Sequence, residues 1–239
     1  MLRLFVKIRQ NLISGSKTGK YFKYAAGEIV LVVIGILLAI QVNNWNENRR
    51  VQKEIKNIYQ EIVFDLDDDI KELSKSLNRL QASKPVFEKV IADARTVELL
   101  DDGLSRIIAT YSMTVLNKSG VEKLKSTSAK DRLTLEIINT YNLMESQYIL
   151  PSEKRMFDIS SDFSRYCRNN HDWYPEWMSK KITKDNSSKA LQNYFVNDKL
   201  YRNYVIEYNH QAYNNYLPSL KYFIKELKIL KSKIEAEIE

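Results

Sequence analysis

Few residues in this chain have types and spacings that could do chemistry. Cys167 and His171 stand four apart, which would put a thiol and an imidazole on one helix face. A zinc site needs two more ligands, and the one other histidine is His210. A cysteine nucleophile needs an orienting third group and an oxyanion site as well as its base. The pair therefore reads as a core-facing cysteine at a helix end beside a surface histidine. Asp65, Asp67, Asp68 and Asp69 form an acidic cluster. Calcium loops use such clusters around a turn glycine, with spaced oxygens on looped backbone. These four fall inside a helical pattern that splays them around the axis, so a solvated face is expected. P-loop, dinucleotide-binding and serine-elbow patterns are missing from the sequence. It names no catalytic residue, no metal ligand, no cofactor and no small-molecule substrate.

Trp173, Tyr174 and Trp177, around Pro175, are the most unusual local feature. Such rings can anchor a protein, glycan or lipid, or they can plug the end of a bundle. They are carried forward as a candidate partner surface. Tyrosines crowd the C-terminal part, at 194, 201, 204, 208, 213, 216 and 222. With apolar rings and polar tips, they suit the rim of a helix seam.

Charge narrows the function classes. The chain of 239 residues carries a net +7. Six of its 37 basic side chains, Arg3, Lys7, Arg9, Lys17, Lys20 and Lys23, lie in the first 27 residues with no acid among them. The remaining 31 face all 30 acids, so the large part is near neutral. A nucleic-acid-binding domain would carry its own basic face. A cationic tail beside an apolar run points instead to an anionic lipid leaflet.

That run is Ala25–Val42, about 27 Å as a helix, close to the hydrocarbon thickness of a bilayer. Tyr21, Phe22 and Tyr24 flank it on one side and Trp45 on the other, as interfacial rings do. The basic excess before the span predicts a cytoplasmic N-terminus and an exported C-terminal part. The charged region before the run is too long for a cleaved signal peptide, so an uncleaved signal anchor is expected. Leu2, Phe5, Ile8 and Leu12 outline an amphipathic basic helix for the inner leaflet, with Ser14-Gly-Ser16 and Gly19 as a hinge. Gly27, Gly35 and Ala39 make a small-residue stripe fit for close helix approach in lipid. Glu28 sits at the cytoplasmic edge, where it can snorkel toward Lys20 or Lys23 or meet a partner's cation. The expected organisation is 1–23 cytoplasmic, 24–44 membrane helix and 45–239 an exported helical domain.

The stretch Lys17-Thr-Gly-Lys-Tyr-Phe-Lys-Tyr-Ala-Ala-Gly-Glu-Ile-Val-Leu-Val-Val-Ile-Gly-Ile-Leu-Leu-Ala-Ile-Gln-Val-Asn-Asn-Trp-Asn-Glu47 resembles the N-terminal signature of an uncharacterised family. Its members are membrane-anchored proteins of unknown function, abundant in Bacteroidota and flavobacteria especially. The resemblance covers roughly residues 3–50, with a weaker echo at Ser119-Gly-Val-Glu-Lys-Leu124. It implies a single-pass protein of a bacterial inner membrane with a helical periplasmic domain. It carries over no activity and no catalytic residue.

Six glycines and four prolines are too few for the turns of a barrel, sandwich or doubly wound sheet. Cys167 is the one cysteine, so an intrachain disulfide framework is excluded. Ile55, Tyr59, Ile62, Leu66, Ile70, Leu73, Leu77 and Leu80 step by three or four, a long helix to about residue 82. A kink or restart is expected at Pro85. Further helices are expected over Leu104–Val115, over 133–148 with a stop at Pro151, over Met156–Cys167 and over Leu191–Asn215. Residues 169–188 read as a loop. Leu220, Phe223, Leu227, Leu230, Ile234 and Ile238 form a heptad-like coiled-coil seam, with Pro218 in its first turn. The fold class is all-α: one N-terminal transmembrane helix, then an elongated bundle whose last helix runs antiparallel to 50–82. Function reads as a non-enzymatic binding, scaffold or accessory subunit of an envelope assembly, with a protein partner or as a homo-oligomer. A sensor acting through a membrane partner is the alternative. An envelope enzyme, resting on the Trp/Tyr loop and His171, comes third.

Overall fold

The computed structural model describes residues 18–109, 113–128, 131–183 and 188–239. Its elements are helices, and among the described residues there is no strand. They are α1 (Thr18–Ile91), 3-10 turns at Val97–Leu100 and Leu104–Arg106, α2 (Ser119–Ser126), α3 (Arg132–Leu143) and α4 (Leu150–Asn170). They continue with α5 (Tyr174–Thr183), α6 (Lys189–Asn197), α7 (Lys199–Asn209) and α8 (Leu217–Ile238). The chain divides into two units, Met1–Ile55 and Lys56–Glu239. In the first, the described residues belong to α1.

The second unit is built on three long helical runs. One is α1 from residue 56 on, whose buried residues Tyr59, Ile62, Leu66 and Leu73 keep a helical period. Pro85 lies inside α1, which neither restarts there nor stops at 82. The second run is α3 and α4, joined by a π-helical turn at Met144–Ile149. The third is α7 and α8, joined by another at His210–Tyr216. Each π turn is followed two residues on by a proline, Pro151 or Pro218. A proline has no N–H, and its ring collides with the carbonyl four residues back. A wider turn relieves that collision and lets the helix continue. Pro151 therefore does not stop its helical run, while Pro218 lies in the first turn of α8 as expected.

Ion pairs and hydrogen bonds fix the directions. Lys231 pairs with Asp67 at 2.7 Å, and Tyr213 Oη donates to the Leu80 carbonyl at 2.7 Å, so α8 runs antiparallel to α1. The α3–α4 run is antiparallel to α7–α8, through Tyr141 against Phe223 and Tyr216 against Glu153. The heptad-like seam lies within this bundle: Leu220, Phe223, Leu227, Leu230 and Ile234 are buried. Side chains cap the helix starts, with Asp131 accepting from the Thr134 N–H at 2.9 Å and Asp198 from that of Tyr201 at 2.8 Å. Asp93, at φ 58, turns the chain after α1, and Arg202 donates to the end carbonyls of Val90 and Ile91.

Two expected elements differ. Of the helix expected over Leu104–Val115, the described part is one 3-10 turn, begun by Gly103 at φ +97, a turn after it, and then backbone without regular structure over 113–118. The apolar spacing there comes from Leu104 and Ile108 entering the core while Val115 stays exposed. The stretch 169–188 is not one loop either, since α5 occupies much of it.

Candidate functional site

The anchor is the first candidate. Within α1, an 18-residue window of mean hydropathy 2.4 is 0% buried inside the structure. A core helix can match that length and composition, but its residues are covered by their own fold. This helix, near the N-terminus, is long and apolar enough to cross a membrane. Gly27, Glu28, Gly35, Ala39 and Trp45 are all exposed. A Cβ built on Gly27 or Gly35 meets nothing within 4 Å. At about 100° per residue, the three small residues share roughly a third of the helix circumference. Below the apolar stretch, the Arg49 guanidinium lies 5.9 Å from the Trp45 ring and Arg50 pairs with Glu47 at 2.9 Å. Lys23 is exposed, and Lys20 and Gly19 fall within α1, so the helix has begun before the expected hinge ends. Arg3, Lys7, Arg9 and Lys17, with the amphipathic segment they belong to, lie outside the described residues.

The aromatic trio divides. Trp177 is 1% exposed, its Nε1–H donates to the Ser105 carbonyl at 3.1 Å, and its ring packs against Phe163 and Phe195. It belongs to the core and is not part of a partner surface. Trp173 and Tyr174 are half-buried. Trp173 stacks on His171 at 4.6 Å and lies 4.8 Å from Tyr194. These rings border a groove of about 390 Å³ together with Asn193, Asn197 and Asp198. Cys167 is buried, as expected, with its thiol 4.0 Å from the Tyr194 hydroxyl. His171 caps the end of α4 through its N–H to the Cys167 carbonyl. Its buried Nε2 has no hydrogen-bond partner. His210, on the other π turn, bonds to Asn214. Among the described residues, no three of His, Cys, Asp and Glu converge as a metal site.

The C-terminal tyrosines go deeper than a seam rim. Tyr201, Tyr208 and Tyr216 are buried. Tyr201 donates to the Leu104 carbonyl, and Tyr216 to Glu153, itself fully buried, at 2.6 Å. Burial pushes the hydroxyls of Tyr201, Tyr208 and Tyr216 well above the ordinary range, and the nearby Glu153 carboxylate adds to this at Tyr216. Tyr201 and Tyr216 act here as neutral donors.

The acidic cluster is where the structure departs most from expectation. Asp67 and Asp68 are exposed, but Asp65 and Asp69 are each 2% exposed. Asp65 accepts from Asn117 Nδ2 at 2.6 Å, from the Gly120 N–H at 3.1 Å and from Ser119 Oγ at 3.3 Å. Asp69 accepts from the Asn117 N–H at 2.8 Å and from Tyr141 Oη at 2.9 Å. The two carboxyls fasten the irregular strap 113–118, and the start of α2, onto α1. Gly120 permits the approach: a Cβ there would lie 2.6 Å from Ile62 Cγ1 and 3.2 Å from the Ile62 nitrogen. At the edge, Glu61 accepts from Ser119 Oγ and Lys123, which hold it below its ordinary range. A sequence signal was available. Positions 62, 65, 66, 69 and 73 share one helical phase, so the apolar stripe of α1 includes two of the four aspartates.

A model of a family of unknown function, DUF6090, matches residues 28–122. The matched stretch begins at Glu28 in the anchor and ends within α2, so it takes in Asp65, Asp69, Asn117 and Gly120. Over it the chain is similar to that family. No curated protein and no solved structure matches the chain.

Proposed function

We propose that this chain is a non-enzymatic, membrane-tethered helical module that works as a binding, scaffold or accessory subunit of an envelope assembly. The observation that carries the reading is the anchor: an apolar helical stretch, 0% buried by its own chain, with Gly27 and Gly35 facing open space. The anchor is an uncleaved, single-pass signal anchor, with the basic residues 3–23 on the anionic cytoplasmic leaflet and the helical domain exported. The signature over residues 17–47 supports a bacterial inner membrane, of the Bacteroidota type, and a periplasmic domain. Gly27, Gly35 and Ala39 offer the membrane face for a partner helix or a second copy. Trp173 and Tyr174 offer an aromatic contact outside it.

Affinity purification of tagged full-length protein from native membranes in mild detergent, followed by native mass spectrometry, tests this. A stoichiometric partner or a homo-oligomer is expected. A partner with a cytoplasmic output domain would favour the signal-relay alternative. A strictly monomeric chain without an envelope partner contradicts the proposal.

A further inference from the structure

Asp69 differs from every other carboxylate in the strap junction in what surrounds it. Asp65 faces the first N–H groups of α2, where the helix dipole favours an anion. Glu61 has Lys123 at 2.7 Å. The donors to Asp69 are both neutral: one backbone N–H and one tyrosine hydroxyl. The groups around it are mostly acidic. From α1 come Asp65 and Asp68, from α3 comes Tyr141, and from the π turn after it comes Glu145. The strap contributes Asn117 and Lys118, whose ammonium is matched by Glu145 at 2.7 Å. At the α2 end are Ser119 and the Glu61–Lys123 pair. From α8, Phe223 packs edge-on against Tyr141.

We propose that Asp69 is a proton-operated latch, which holds the 113–118 strap on α1 when its carboxyl is protonated and lets it open more readily when ionised. The protonated carboxyl still fits both neighbours. Each oxygen keeps a lone pair on protonation, so the Asn117 N–H and the Tyr141 hydroxyl still donate to the carboxyl, each more weakly than to the anion. Ionisation leaves an uncompensated charge in a buried site beside Asp65. Burial first, and then the charges of Asp65 and Asp68, raise the Asp69 carboxyl from 3.8 to about 6, against the opposing pull of its two hydrogen bonds. An opened strap exposes the group and restores its ordinary value. Opening therefore releases a proton between those two pH values and grows easier as pH rises. The opening equilibrium rises on the order of a hundredfold across the whole window. The latch works the same way in whichever compartment holds the unit.

Hydrogen–deuterium exchange of the full-length protein in lipid nanodiscs, from pH 4 to pH 7.5, tests this. Rates are corrected for intrinsic exchange, and peptides over 113–120 are referenced to peptides over 220–234. Strap protection is expected to fall tens of fold with rising pH relative to the reference. Asp69→Asn, which mimics the protonated group, is expected to abolish that difference. Tyr141→Phe, which removes a bond favouring the ionised form, is expected to move the midpoint to higher pH. A wild-type strap that follows the reference at every pH, or an Asp69→Asn strap that keeps the wild-type slope, overturns the proposal. Should Asp69→Asn not fold, Tyr141→Phe decides alone, and an unchanged or lowered midpoint overturns it.

Discussion

Gly120 is where α2 comes too close to α1 for a side chain, and Gly35, in the same family-matched stretch, provides its control. Adding a methyl at 120 drives a Cβ into Ile62, whose backbone nitrogen cannot move without bending α1. Gly120→Ala is expected to destabilise the second unit by about 1–3 kcal/mol, the ordinary range for overpacking. Gly35→Ala adds a methyl into open space and is expected to leave the melting of that unit unchanged. Urea or thermal melts of the full chain in detergent compare the two. Removing the Asp65 acceptor strands the donors of Asn117, Ser119 and Gly120, so Asp65→Ala is expected to cost about 1–3 kcal/mol in the same assay. At this scale the sequence was legible for the buried Cys167, left Trp177 open between core packing and a partner surface, and misled for Asp65 and Asp69. The misreading of the two aspartates has one cause. Residue type argued for the surface, whereas helical phase and an available hydrogen-bond partner put these side chains inside. The Asp65 partners are 52 to 55 residues away in the chain, and spacing alone does not bring them together.

Elements were more legible than residues wherever a long amphipathic period ran unbroken. The period of α1 and the seam of α8 predict helices that exist, and both stripes are buried by the chain's own bundle. The turn signals were the weaker guide. Pro218 falls in the first turn of α8 as its position predicts, but Pro151, read as a stop, lies in a continuous run because a π turn precedes it. Nothing in hydrophobic spacing announces a π turn, which adds one residue without moving the apolar face. That gives a prediction. Deleting Asn214, an exposed residue of the second π turn, rotates α8 by about 100° against α7 and turns Leu220, Phe223 and Leu227 out of the core. The deletion is expected to cost several kcal/mol and cooperative melting, in line with about 2–5 kcal/mol for each buried Leu lost. Asn214→Ala keeps the register and is expected to change stability by no more than about 0.5 kcal/mol. Circular dichroism melts of the two variants decide it. The strap 113–118 was illegible for a different reason. Two of its N–H groups go to distant side chains, Thr114 to Glu153 and Asn117 to Asp69, and no regular pairing pattern marks it.

For the whole molecule, charge and hydropathy together decide more than any site. The basic excess lies before the apolar stretch, the bundle is close to neutral, and the anchor is uncovered by its own fold. That combination supports the proposed membrane anchor, whose helix is long and apolar enough to cross a bilayer. The most direct test labels Ser232→Cys, at an exposed position of α8, with a membrane-impermeant maleimide in intact spheroplasts. The natural Cys167 is buried and gives little background. The account predicts labelling without lysis of the inner membrane, on protein that stays in the pellet after alkaline carbonate washing. Labelling that requires lysis would reverse the orientation, and release of the protein by carbonate would contradict the transmembrane anchor itself.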